Sequence, residues 1–381
     1  MTGLYIHIPF CESRCIYCGF YSSLTQNVNK IEHGKTIRQR YINAVCKEMS
    51  KHKAILNTIY LGGGTPSQLS PEELNQIFNQ INKTFLQQPE VRPSLPKEIT
   101  IECNPEDVTP NFVQALSTLP VNRISMGVQT FNDERLKFIH RRHSSNKILE
   151  AVRLLRNIGI NNISIDLMFG FPKQTQEEWI DDIKKAISLN VEHISAYSLM
   201  YEEGTPLYAM LKHHKITQIG EEQYRNMYEE LIDRLEIAGY EQYEISNFAK
   251  HGFRSLHNSS YWHNVPYIGV GAAAHSYNLR CRRWNYADIN KYVNAIEHDY
   301  HAYEEEIIDD NTHYNDSIVT ALRTKEGLNI DGFDEKYKTY FLTNAAPYIE
   351  NGNMGKHDNN YFITRKGLYI SDAIMTDLIM V

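Results

Sequence analysis

Tyr5-Ile6-His7-Ile8-Pro9-Phe10-Cys11-Glu12-Ser13-Arg14-Cys15-Ile16-Tyr17-Cys18 runs a short strand pattern, begun at Leu4, straight into three cysteines. Thiolates spaced as Cys11, Cys15 and Cys18 on one loop can all face one point. They can hold three irons of a cubane and leave the fourth iron without a protein ligand. A zinc site of three thiolates and one imidazole is the alternative, with His7 the nearby histidine. The other cysteines, Cys46, Cys103 and Cys281, are scattered and read as small buried hydrophobes.

Leu4–Ile8 is the first of six strand patterns. The others are Thr58–Leu61, Ile99–Glu102, Arg123–Val128, Ile163–Leu167 and His193–Leu199. Amphipathic helical patterns lie between them. Ser70 before Pro71-Glu72-Glu73-Leu74 reads as an N-cap. Thr175-Gln176-Glu177-Glu178 places acids in a first turn. Asn146–Asn157 has helical spacing and stops before Gly159. Strands alternating with helices predict a parallel sheet with right-handed crossovers. The expected fold class is α/β: a partial (β/α)6 TIM-like barrel over residues 1–235, too short for eight units. Glu221–Ala238 reads as a long helix. Residues 236–304 read as an irregular, aromatic-rich connecting region. Residues 305–381 read as a smaller C-terminal α/β or winged-helix-like domain, with a strand at Tyr361–Thr364 and a turn over Gly352–Asn360.

The chain of 381 residues is 42% hydrophobic and 22% charged, with net charge −7. That balance argues against nucleic-acid binding, which rests on phosphate neutralisation. The N-terminus has no basic-then-apolar leader pattern. No stretch approaches the roughly 20 apolar residues of a membrane span. A cytoplasmic location is expected, and with it metal rather than disulfide at the three cysteines.

Polar groups stand at successive strand ends. Gly62-Gly63-Gly64-Thr65 follows the second strand, where glycines allow close backbone approach to a ligand. Glu102 ends the third strand, Gln129 the fourth, and Asp166 lies near the end of the fifth. Such folds carry their sites over these ends.

The C-x3-C-x2-C spacing with an aromatic before the last cysteine resembles the radical SAM superfamily. The flanks Tyr5–Phe10 and Leu61-Gly62-Gly63-Gly64-Thr65-Pro66 resemble its coproporphyrinogen dehydrogenase-like branch, which includes the HemW-type haem chaperones. The resemblance implies a [4Fe–4S] cluster on Cys11, Cys15 and Cys18, with S-adenosylmethionine chelated at the open iron. It implies that Gly63, Gly64 and Thr65 meet the methionine amino group, and that Arg141 reaches the cofactor carboxylate, with Arg142 its competitor. Tyr5 and Tyr17 fall beside the cofactor, together with Glu102, Gln129 and Asp166. His257-Asn258-Ser259-Ser260-Tyr261-Trp262 matches the H-N-x-x-Y-W signature of the chaperones. An imidazole can ligate haem iron and aromatic rings can cover a porphyrin face, so His257 is the expected haem ligand and His263 the next candidate.

Dehydrogenases of this branch extend the cluster motif with a cysteine two residues past Cys18, where this chain has Phe20. They also carry a longer segment before the loop than the ten residues seen here. A haem chaperone delivering haem to haem-requiring proteins is therefore expected, and oxygen-independent coproporphyrinogen III oxidase is the alternative. An electron donor such as a flavodoxin or ferredoxin, membrane-surface association, and a monomer or homodimer complete the expected partners.

Overall fold

The computed structural model describes residues 2–32, 34–87 and 95–380. Six parallel strands form where expected: β1 (Thr2–Ile8), β2 (Leu56–Gly63), β3 (Glu98–Cys103), β4 (Arg123–Gln129), β5 (Ile163–Phe169) and β6 (His193–Ser198). A seventh, β7 (Tyr267–Val270), pairs parallel to β1 with Gly3 opposite Tyr267 and Tyr5 opposite Gly269. The parallel order is therefore β7-β1-β2-β3-β4-β5-β6.

Every strand alternates. Leu4, Ile6 and Ile8, then Ile59 and Leu61, Ile99 and Ile101, Ile124 and Met126, Ile163 and Ile165 are essentially inaccessible to solvent. They pack on helices α1 (Ile37–Met49), α2 (Pro71–Ile81), α3 (Ser145–Asn157) and α4 (Gln176–Ser188) in one apolar cluster. The residues between them are polar or aromatic and face the concave side. The helices start as their sequences dictate. Ser70 with Glu73, and Thr175 with Glu178, form complete capping boxes, each satisfying orphan N–H donors. Gly159, at φ +88°, takes the left-handed turn that ends α3.

Residues 236–304, read as irregular, instead continue the sheet. Asn247–Ala249 pairs antiparallel to β6 and Glu241–Gln242 pairs beyond it. On the far side His275–Tyr277, Cys281–Asn285 and Tyr303–Ile307 extend from β7. The result is an open twelve-stranded sheet, a partial barrel without closure among the described residues. These strands were illegible because most are short and rely on neighbours for their pairing, so no long alternating run exists. In the C-terminal region, three helices pack on a small sheet of Leu328–Asn329, Asn360–Ile363 and Met354–His357 around their own apolar cluster. The stretch read as a turn, 352–360, thus contains the strand Met354–His357. No helix among the described residues is long and apolar enough to cross a membrane.

Helix α5 (Leu256–Trp262) closes the barrel floor, at the N-terminal ends of the strands. Glu98, the first residue of β3, accepts from the backbone N–H of Leu256 at 2.8 Å and of His257 at 2.9 Å. Its other partner is Arg123, the first residue of β4, 3.9 Å away and 1% exposed. Removing one member of a buried charge pair strands the other. Glu98→Ala should therefore cost about 3 kcal/mol of unfolding free energy, measured by urea denaturation.

Candidate functional site

A cavity of about 520 Å³ opens over the C-terminal ends of the strands. The cysteine loop supplies Cys11, Cys15, Tyr17 and Cys18 to its wall. β2 and its exit turn supply Tyr60, Gly63, Gly64 and Thr65; β3 supplies Glu102, with Asn104 just beyond. β4 contributes Ser125, Gly127 and Gln129, β5 contributes Asp166 and Met168, and β6 contributes Ser195 and Tyr197. Arg141 and Arg142 come from the loop before α3.

The three cysteines are free thiols around one open volume rather than a closed metal set: among the described residues no three metal-ligating side chains are drawn together. Cys11 Sγ lies 3.5 Å from Thr65 Oγ1, and Cys15 Sγ receives Arg141 Nη1 at 3.7 Å. Burial pushes the Cys11 and Cys18 thiols up. His7 does not complete a zinc set. Its Nε2–H donates to the Tyr21 carbonyl at 3.0 Å and its Nδ1 accepts from the Tyr5 hydroxyl at 3.0 Å. Burial lowers it to about 4, so it is a neutral imidazole with both nitrogens used. Three thiols and no available imidazole fit an iron–sulfur cubane with one open iron.

The glycine turn has a cause internal to the fold. A Cβ on Gly63, at φ +111°, would stand 2.4 Å from the His7 ring. One on Gly64 would stand 2.8 Å from the Pro9 carbonyl carbon, and the Gly64 N–H donates to Ile8 O at 2.9 Å. These glycines let the β2 exit press against the β1 exit, which is also what brings Thr65 to Cys11.

Glu102 accepts from Tyr60 Oη at 2.7 Å and from the Gly63 N–H at 2.9 Å. Burial raises its carboxyl to about 7, with the neighbouring Asp166 adding to the rise. Burial likewise raises Asp166 to about 6, opposed by its hydrogen bond to Ser195. Gln129 sits at φ +64° on a register irregularity between β4 and β5, and its buried Oε1 has no partner. Arg141 Nη2 donates to Asn104 Oδ1 at 2.6 Å and to Gly127 O at 2.5 Å, while its Nε is buried without a partner. Arg142 is instead held by two carboxylates, Glu106 at 3.3 Å and Asp107 at 3.0 Å. The cavity thus brings together the Glu102 and Asp166 carboxyls, the Arg141 guanidinium and orphaned polar atoms, a set suited to an amino acid and a ribose.

A radical SAM superfamily model matches residues 5–186. The heme chaperone HemW of Bacillus subtilis (strain 168) is 34% identical over 379 residues, covering 98% of both chains. The chain belongs to the HemW-type branch of the radical SAM superfamily. The HemW heme chaperone of Lactococcus lactis is 34% identical over 341 residues, 89% of this chain and 86% of that one. The coproporphyrinogen III oxidase HemN of Escherichia coli, a radical SAM enzyme, shares the fold: TM-score 0.83 at 22% identity, covering 100% of this chain and 90% of that one. Membership of the superfamily implies a [4Fe–4S] cluster and S-adenosylmethionine.

The radical SAM site residues named from sequence mostly converge here. Tyr5 does not: it stacks behind Tyr60, ring centroids 6.1 Å apart, and is absent from the cavity wall. His257 does not either. It is 0% exposed on the barrel floor. Its Nδ1 pairs with Thr58 Oγ1 and its Nε2 with Tyr261 Oη, each at 2.8 Å. The expectation that it offers a nitrogen to iron is corrected by that arrangement. His263 is exposed, but it lies at the floor end of the barrel, with Nδ1 2.7 Å from Ser259 O. Of the signature, Asn258 lines the cavity. Sequence reading missed Asn258, Tyr60 and Ser195; the strand alternation that aims Glu102 and Asp166 inward was the available signal for the last two.

Because the folded state holds the Asp166 proton more tightly than the unfolded chain, this group favours folding below the ordinary carboxyl range. That contribution is lost as pH rises through about 6. Ligand-free Asp166→Asn should therefore be more stable than wild type at pH 8, by on the order of 1–2 kcal/mol. The gain should shrink at pH 5, as read by thermal unfolding.

Proposed function

We propose that this chain is a haem chaperone: it holds a [4Fe–4S] cluster on Cys11, Cys15 and Cys18, binds S-adenosylmethionine in the adjoining cavity, and carries haem to haem-requiring proteins. The observation that carries the reading is similarity over 98% of the chain to a heme chaperone at 34% identity. Phe20, where a fourth cysteine stands in the dehydrogenases, supports it.

When bound, the cluster and S-adenosylmethionine together supply one-electron chemistry at a sulfonium carbon. The chain's own residues bind and orient. Arg141, already aimed by Asn104 and Gly127, pairs with the methionine carboxylate as a guanidinium fork does. Glu102 accepts from ribose hydroxyls while keeping Gly63 in place. Asp166, Gln129, Thr65 and Tyr17 complete the pocket. A ligand bringing positive charge and hydroxyl donors relieves the two carboxyls that burial holds against ionisation.

Anaerobically reconstituted protein should contain about four irons per chain. Cys11→Ala, Cys15→Ala and Cys18→Ala should each lose the cluster, whereas Cys46→Ala, Cys103→Ala and Cys281→Ala should keep it. Stoichiometric zinc that iron cannot displace would sink the assignment.

Haem should be retained after gel filtration at about one per chain. In His257→Ala the Soret band should persist while stability drops by about 2–4 kcal/mol, since Thr58 and Tyr261 lose their partner and a cavity opens. A Soret band lost with the fold intact would return His257 to the iron, on a floor helix that swings open. Turnover of coproporphyrinogen III with S-adenosylmethionine and a flavodoxin or ferredoxin as reductant, without haem retention, would favour the oxidase instead.

A further inference from the structure

Two apolar side chains stand in solvent at the mouth of the cavity. Phe20 is 72% exposed and Met200 59% exposed, and both line the cavity. They belong to different walls: Phe20 follows the cysteine loop and Met200 follows β6. The two walls touch beside them. A Cβ on Gly19 would lie 1.9 Å from Glu202 Oε2, and the Leu207 N–H donates to Ile16 O at 2.9 Å. Arg14 lies on the same rim, exposed, and has no ion pair among the described residues. Apolar surface left in water at the rim of a functional cavity marks a binding face.

We propose that Phe20 and Met200 seat the face of a haem macrocycle across the cavity mouth, with Arg14 holding a propionate. This rests on the haem-carrier reading and deepens it by giving the haem a place. A flat apolar ring with two carboxylates on one edge matches two exposed apolar side chains and a cation that line the same cavity. The rim meets both needs, and the buried histidine of the floor meets neither. The seat also gives Phe20 a role of its own. A thiol at that position would add a ligand beside the cluster loop, whereas a phenyl ring offers a stacking face. Because the seat grips the ring and the propionate, it does not depend on iron.

The test uses full-length, cluster-loaded protein under anaerobic conditions. Iron-free protoporphyrin IX is titrated by fluorescence and haem by its Soret band. Phe20→Ser and Met200→Gln should each weaken protoporphyrin IX about tenfold. Arg14→Gln should weaken it about fivefold, with no effect on the dimethyl ester, which lacks free propionates. Cluster absorbance checks the loop in Phe20→Ser; Met200→Gln lies off that loop and decides the matter if the first variant loses its cluster. Protoporphyrin IX affinity unchanged in Met200→Gln and Arg14→Gln overturns the seat, as does a wild type that binds no protoporphyrin IX. A wild type that binds protoporphyrin IX at this rim yet retains no haem overturns the carrier reading and leaves the seat standing.

Discussion

A strand buried on both faces ordinarily reads as an unbroken apolar run. The parallel strands of this protein instead alternate, and everything in the site depends on that two-residue period. One face of each strand, from Leu4 and Ile6 to Ile163 and Ile165, is sealed by helices. The opposite face is covered by a helix at the floor, where α5 stands against Thr58 and Tyr60; toward the strand ends it carries Glu102, Ser125, Asp166 and Ser195 into the cavity. The apolar face supplies the burial that drives folding. The polar face gathers ionisable groups that no ordinary core would tolerate.

That gathering is costly in the ligand-free protein. Glu102 and Asp166 are both raised by burial, Gln129 sits in the left-handed region, and the polar atoms Gln129 Oε1 and Arg141 Nε lack partners. Strain and unsatisfied polarity of this kind concentrate where a ligand completes the structure. The cysteine loop adds to it, with three thiols around an open volume, Cys11 beside Thr65 and Cys15 beside Arg141. The arrangement is preorganised: the groups stand in place before any ligand arrives, so little ordering entropy remains to be lost on binding.

The opposite end of the barrel is a different kind of polar interior. Helix α5 is held at its N-terminus by Glu98 and along one side by the His257 bridge between Thr58 and Tyr261. At its C-terminus Trp262 lies under Arg323 of the C-terminal region, 5.3 Å from the guanidinium carbon to the ring centroid. Ion pairs between Arg282 and Asp316, Arg254 and Glu326, and Arg365 and Asp233 join the same two parts. The histidine–aromatic signature therefore couples floor, sheet and C-terminal region, and sends Asn258 alone into the cavity. A residue type suited to iron is here used for its two hydrogen bonds.

The sequence by itself determined the six leading strands, the capped helices and the cysteine loop. Those features are local: alternation, a capping box or a three-thiol spacing is written within a dozen residues. Strand-end placement of Glu102, Gln129 and Asp166 was legible for the same reason, because the pleat decides which side chains face inward. Tertiary structure alone decided the rest. β7 and the antiparallel edges could not be read because short strands owe their existence to the partners they pair with. Arg141 was separated from Arg142 only by where Asn104, Gly127, Glu106 and Asp107 stand. His257 was moved from ligand to scaffold because Thr58 and Tyr261, one of them far away in the chain, take both nitrogens of its ring. Partners set the availability of a lone pair, and partners are assigned by the fold.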